Sequence, residues 1–142
     1  KAMILKENGI RLEVIGDMSG MSASVLRLIN KVKKATSDCC NTICTVALSY
    51  GGRQEIELAA EKFKLSNDGS QFKDHLLTSF LPNPDLLIRT GGERRISNFM
   101  LYSLAYTELY FLDKYWPDFT CADFKNAIDG FEQRRRRFGK LN

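Results

Sequence analysis

The sequence predicts an α/β fold, a mostly parallel central sheet flanked by helices. Three observations carry that reading. Short β-branched, apolar runs such as "TICTVALSY" have the continuous hydrophobicity of strands covered on both faces. Between them lie segments whose apolar residues recur at helical spacing. The alternation of the two kinds of segment calls for βαβ crossovers, and hence for parallel pairing.

Taken in order, "RLEVIG" (residues 11–16) alternates and stops at Gly16, as a short strand does. "SASVLRLINKVKKA" sets Val25, Leu28, Ile29 and Val32 on one helical stripe, with Ser22 or Ser24 as its cap. "TICTVALSY" is the second strand. Gly51-Gly52 then turns the chain into "RQEIELAAEKF", where Ile56, Ala59, Ala60 and Phe63 share a helical face. "LSNDGS" reads as a loop and "QFKDHLLTSF" as a short helix ended by "LPNP". "DLLIRT" is a further buried strand. "SNFMLYSLAY" is apolar nearly all round and reads as an interior helix, and "ELYFLD" as a last strand. "CADFKNAIDGFEQRRRRF" carries Phe124, Ala127, Ile128 and Phe131 at i, i+3, i+4 and i+7, with its basic end where a helix macrodipole favours cations.

A chain of 142 residues with 44% hydrophobic content has the size of one domain and can fill its core. We read residues 1–142 as that single domain. Its opening, "KAMILKENG", has no initiator Met and enters a patterned region at once, which suggests a stretch whose N-terminal part is absent. No apolar run approaches the roughly 20 residues that span a bilayer, and no signal peptide opens the chain. The net charge of +4 is unevenly placed. Residues 131–142 hold five of the 21 Lys and Arg but one of the 17 Asp and Glu, so the rest of the chain is neutral. A neutral body with a basic end argues against a nucleic-acid surface and for a local anion site or contact with anionic lipid. Cys39, Cys40, Cys44 and Cys121 lack zinc spacing and suit disulfides poorly; they read as reduced, mostly buried residues of an intracellular protein.

In open α/β sheets ligands bind beyond the carboxyl ends of the strands. Three glycine-containing polar clusters fall there: "GDMSG", "SYGGRQE" and "RTGGERRIS". In the last, Gly91-Gly92 can take positive φ and expose backbone N–H groups, while Ser97 opens the following helix. Arg89 and Arg95 flank the turn, each able to grip phosphate oxygens bidentately. Together they form a cradle for a diphosphate; a polar loop with a simple serine cap is the bland alternative. Glu108, between an apolar run and "LYFLD", should sit half-buried near a strand end, paired with an arginine or with a divalent metal carried by the diphosphate. His75, the lone histidine, reads as a packing or surface residue. Neither GxGxxG nor GxxxxGK[ST] occurs, and nothing resembles a serine-hydrolase triad. The aromatics from Phe99 to Trp116 could stack bases, but they fall in segments that look like core.

These residues together resemble the cis-prenyltransferase family, the undecaprenyl and dehydrodolichyl diphosphate synthases. The resemblance covers nearly the whole chain through "VIGDMS", "LSYGGRQEI", "PDLLIRTGGERRISNFMLYSLAYTELYF", "WPDF" and "RRRRFG". It implies a cis-prenyltransferase-like α/β domain lacking its N-terminal part. The implied activity is prenyl chain elongation, in which isopentenyl diphosphate condenses onto an allylic diphosphate such as farnesyl diphosphate with cis double bonds and Mg²⁺. By resemblance Arg89, Arg95 and Ser97 hold the isopentenyl diphosphate group, and Glu108 serves metal and substrate binding. Arg137 and Gly139 match a C-terminal Arg-x-Gly motif that enters the partner subunit's site in homodimers. Gly51, Gly52 and Arg53 match a supporting motif beside the active site.

The family's Asp-Gly-Asn-Gly-Arg segment, which holds the allylic diphosphate and positions Mg²⁺, has no counterpart in these residues, so no catalytic residue is assigned and this stretch alone should be inactive. Lys140, where many bacterial members carry glycine, is a minor departure. The resemblance implies a cytoplasmic homodimer with peripheral membrane contact. The competing reading is a non-catalytic partner subunit of a heteromeric cis-prenyltransferase. For Arg134 to Arg136 a solvated helix end is the expectation.

Overall fold

The computed structural model describes residues 2–134, which fall into two compact units, one up to Phe80 and one from Leu81 onward. The first unit opens with a helix the sequence did not announce, α1 (Ala2–Glu7), followed by β1 (Ile10–Ile15), α2 (Ala23–Ala35), β2 (Thr42–Ala47) and α3 (Gly52–Leu65). The segment read as a short helix after α3 reduces to one 3-10 turn, Phe72–His75. Strands β1 and β2 pair in parallel from Ile10↔Thr42 to Ile15↔Ala47, with α2 as the crossover that parallel pairing requires. Ser22 is the cap of α2, its side chain accepting from the Val25 amide.

Burial is less complete than the periodicity suggested. Val14, Ile15, Ala59 and Leu76 are core, whereas Val25 and Leu28 on the stripe of α2 are exposed. Strand β2 alternates between exposed and half-buried residues instead of being covered on both faces. Cys44 lies on its open face, and Cys40 and Cys121 are also exposed, so the expectation of buried cysteines fails; Cys39 is half-buried.

Two buried polar side chains hold this unit together. Thr36, fully buried at the end of α2, accepts from the Leu12 amide at 3.1 Å and donates to the Val32 carbonyl at 3.0 Å, tying helix to strand. On α3 the inward face runs through Gly52, Glu55 and Ala59, so a carboxyl group sits inside. Glu55, 1% exposed, accepts from the Thr78 amide at 3.0 Å, the Thr78 hydroxyl at 2.9 Å and the Tyr50 hydroxyl. Such saturation is what makes a buried polar group tolerable.

The second unit contains β3 (Leu86–Arg89), β4 (Glu108–Phe111) and α4 (Cys121–Glu132), with a 3-10 turn at Trp116–Asp118. Strands β3 and β4 pair in parallel from Leu86↔Glu108 to Arg89↔Phe111. The interior helix expected between them does not form. Ser97, Asn98 and Met100 have φ of 44°, 64° and 43°, and left-handed residues interrupt an i→i−4 ladder. Met100, Ser103 and Leu104 are nevertheless buried, so the segment packs as a chain of turns. The aromatics are not uniformly core either: Tyr106, Tyr115 and Trp116 are exposed by 64%, 70% and 72%. Helix α4 begins in a capping box, with Thr120 Oγ1 accepting from the Asp123 amide at 3.3 Å and Asp123 Oδ2 accepting from the Thr120 amide at 2.9 Å.

Candidate functional site

Arg89 is the last residue of β3, so the parallel ladder delivers its side chain at a carboxyl end, where α/β folds bind ligands. Its Nη1 donates to the Ser97 hydroxyl at 2.9 Å and to the Arg95 carbonyl. The left-handed turn at Ser97 and Asn98 brings the hydroxyl back over the strand end. Conformations of that kind cost on the order of 1 kcal/mol each and cluster where a loop must hold a particular shape. Arg95 contributes its carbonyl to this contact and turns its guanidinium to Glu93, so the side chains brought together are those of Arg89 and Ser97. A groove of about 290 Å³ adjoins them, lined by Leu87, Ile88, Ile96 and Phe99 as well as Arg89 and Ser97. It sets apolar surface directly beside cationic and hydroxyl donors.

Two details differ from expectation. Gly91 and Gly92 do take positive φ, 91° and 76°, but their amides are already engaged: Gly91 N–H donates to the Lys114 carbonyl at 2.7 Å and Gly92 N–H to the Leu112 carbonyl at 2.9 Å. The glycines therefore extend the β3–β4 contact instead of presenting donors to a ligand. Ser97 likewise caps no helix; it accepts from Arg89. The sequence reading also passed over Glu93, whose carboxylate accepts from Arg95 Nη1. The signal was present, an acid two residues before a base in a loop that must not carry unopposed charge.

Glu108 is half-buried at a strand end, as expected, but at the amino end of β4. Its register partner is Leu86, whereas Arg89 lies opposite Phe111. Three residues of strand separate the two positions, roughly 10 Å at about 3.3 Å per residue. Within the chain Glu108 is therefore not gathered with Arg89 and Ser97. Its Oε2 accepts from Arg134 Nη1 at 2.8 Å, and the same Nη1 reaches the Leu109 carbonyl at 3.1 Å. Arg134 is exposed just past the end of α4, as expected, and makes this ion pair in addition. Arg135, Arg136, Arg137 and Gly139 lie outside the described residues.

Gly51, Gly52 and Arg53 belong to the first unit. Gly51 caps α3 from an extended conformation and Gly52 is buried in its first turn. With Gly16, Asp17, Tyr50, Glu55 and Leu77, Gly51 lines a cleft of about 330 Å³ at the carboxyl ends of β1 and β2. Gly16 has φ 109°, and a Cβ there would lie 1.9 Å from the Leu48 carbonyl oxygen. Asp17 accepts from the Ser19 amide at 2.9 Å, and hydrogen bonds from the Ser19 backbone and side chain hold its carboxyl below the usual range.

A magnesium ion keeps several waters and takes one or two carboxylates together with substrate phosphates. Among the described residues no group of three or more His, Cys, Asp or Glu could hold a metal. Within this chain Glu108 offers a single carboxylate, already paired with Arg134 and away from the Arg89–Ser97 cluster.

The parallel α/β architecture agrees with the comparisons to known proteins. The chain belongs to the prenyltransferase family: the family model described as "Putative undecaprenyl diphosphate synthase" matches residues 1–139. Among curated relatives, the isoprenyl transferase of Aquifex aeolicus is 42% identical over 139 residues, 94% of this chain and 59% of its own. That of Nitrosomonas europaea is 43% identical and aligns with 97% of this chain and 55% of its own. The chain thus spans little more than half the length of these relatives. Of the solved structures, a "probable undecaprenyl diphosphate synthase" from Campylobacter jejuni matches with TM-score 0.84 and 35% identity, over 98% of this chain and 67% of that one. Lavandulyl diphosphate synthase from Lavandula x intermedia, in complex with dimethylallyl diphosphate, matches with TM-score 0.91 and 33% identity, over 98% and 64%.

Proposed function

We propose that the protein of which these residues form a domain elongates prenyl chains, condensing isopentenyl diphosphate onto an allylic diphosphate such as farnesyl diphosphate with cis double bonds to give a polyprenyl diphosphate. A new carbon–carbon bond forms, the allylic carbon–oxygen bond breaks, diphosphate departs and one proton is lost. The observation that carries the reading is the pairing of Arg89 with Ser97 beside an apolar groove. A ligand with a diphosphate at one end and a small hydrocarbon at the other matches that juxtaposition. Arg89 and Arg95 supply charge-assisted donors for the diphosphate, Ser97 keeps Arg89 in place and can donate its own hydroxyl proton, and the groove takes the hydrocarbon. Fixed cations of this kind hold the isopentenyl group in place while the allylic diphosphate departs. The Lavandula relative, captured with an allylic diphosphate, supports the substrate class.

Mg²⁺ belongs to the same proposal: when bound it neutralises diphosphate charge, and Glu108 is the carboxylate assigned to it. The proposal also includes Arg137 and Gly139 as part of a diphosphate site shared between homodimer subunits, with Gly51 to Arg53 in support. Peripheral contact with a membrane from the cytoplasm suits amphiphilic substrates, and no described helix is long and apolar enough to cross one. The test is incorporation of labelled isopentenyl diphosphate onto farnesyl diphosphate by the full-length protein, with and without Mg²⁺. Mg²⁺-dependent chain growth is expected. A folded, full-length protein that incorporates nothing would favour the non-catalytic subunit instead.

A further inference from the structure

The turn that follows Arg89 is held from outside by a neighbouring segment. Gly91 and Gly92 are held through their amides by the carbonyls of Lys114 and Leu112, at 2.7 and 2.9 Å, and the Leu112 amide returns a hydrogen bond to the Arg89 carbonyl at 2.9 Å. The segment 112–114 is therefore the backing of the diphosphate turn, and something must hold that backing. Lys114 does so: its Nζ reaches both carboxylate oxygens of Asp123 at 2.7 and 2.9 Å, and the same carboxylate accepts from the Thr120 amide and hydroxyl at 2.9 and 2.6 Å. Asp123 is nearly buried in the first turn of α4, while half of the Lys114 side chain is solvent-exposed.

We infer that Lys114 and Asp123 are positioning residues of the diphosphate site, anchoring the backing of the Gly91–Gly92 turn to helix α4. The inference rests on the diphosphate reading of that site. A helix cap alone would account for the Asp123–Thr120 contacts but not for the lysine, whose own carbonyl is the Gly91 acceptor. Both ends of the clamp thus meet in one residue. Small misplacements of binding groups are costly in a site that works by preorganisation.

The test uses the full-length protein, with inorganic diphosphate as the probe. Lys114→Met removes the bridge and leaves the Thr120–Asp123 capping box intact; Lys114→Arg restores a bridge. Isothermal titration should show Lys114→Met binding diphosphate about threefold to tenfold more weakly, the scale of losing a partly screened ion pair that also fixes a ligand loop. Amide hydrogen exchange should quicken at Gly91 and Gly92 while α4 keeps its protection, and Lys114→Arg should recover both readouts. If either affinity or exchange at the two glycines stays at the parent value in Lys114→Met, the inference is overturned. A parent protein that binds no diphosphate overturns the proposed function, and this inference with it.

Discussion

Arg89 donates from Nη1 to the Ser97 hydroxyl at 2.9 Å, across eight positions of sequence and a backbone that turns left-handed to allow it. The serine restrains the arginine's fork, and under the proposed function it also donates to the diphosphate. Ser97→Ala is expected to lower kcat/KM for isopentenyl diphosphate by about tenfold, the scale of one hydrogen bond to a charged group. Ser97→Thr, which keeps the hydroxyl, should lose less. Steady-state kinetics on the two variants checks the order.

Arg134 donates to Glu108 Oε2 at 2.8 Å and so occupies the carboxylate that the proposal gives to Mg²⁺. Glu108→Gln should raise the Mg²⁺ concentration for half-maximal activity by roughly tenfold, as loss of one carboxylate or its supporting partner generally does. Arg134→Gln should shift it the other way by releasing Oε2. Titration of activity against Mg²⁺ separates a ligand from a structural ion pair, for which neither variant would move the midpoint.

The carboxyl group of Asp123 is held down at about 2 from an ordinary 3.8, chiefly by the hydrogen bond from Lys114 and then by those from Thr120. A carboxyl depressed in the folded state contributes stability that is present above its unfolded value and lost as pH falls through the folded one. Urea midpoints measured from pH 5 down to pH 2 should therefore fall less steeply in Asp123→Asn than in the parent across that window. Parallel curves would place the acid sensitivity elsewhere.

In the first unit, Thr78→Val removes one donor to the buried Glu55 and leaves the carboxyl group short of a partner. A loss of about 1–3 kcal/mol in unfolding free energy is expected. Gly16→Ala should be worse, roughly 3 kcal/mol, since it forces a side chain into positive φ against the Leu48 carbonyl. Urea denaturation measures both.

What the sequence revealed follows from which signals are local. Strands β1 to β4 and helices α2 to α4 were legible because period and punctuation are written into contiguous residues. The pairing of Arg89 with Ser97 was within reach for the same reason, since Arg89, Arg95 and Ser97 sit within nine positions. The turn segment after Ser97 misled because its apolar residues fit a helix by composition, while the backbone sign at Ser97, Asn98 and Met100 leaves no trace in hydrophobicity. The use of the Gly91 and Gly92 amides could not be read locally either, because their acceptors lie some 20 residues away in the chain. Glu55, Lys114 and Asp123 stayed hidden on the same ground: their roles come from partners brought near by folding. Glu108 was placed near a strand end, but only the register shows that it is the end away from Arg89.

The measurement that tests the central claim most directly is kcat/KM for isopentenyl diphosphate in Arg89→Ala and Arg95→Ala of the full-length protein. Removing a bidentate, charge-assisted grip on a bound diphosphate costs about 10–10²-fold. Each variant, folded as judged by circular dichroism, should fall by that order with farnesyl diphosphate saturating. Rates within about threefold of the parent in both would contradict the account, and would mean that the arginines at the end of β3 do not hold the diphosphate.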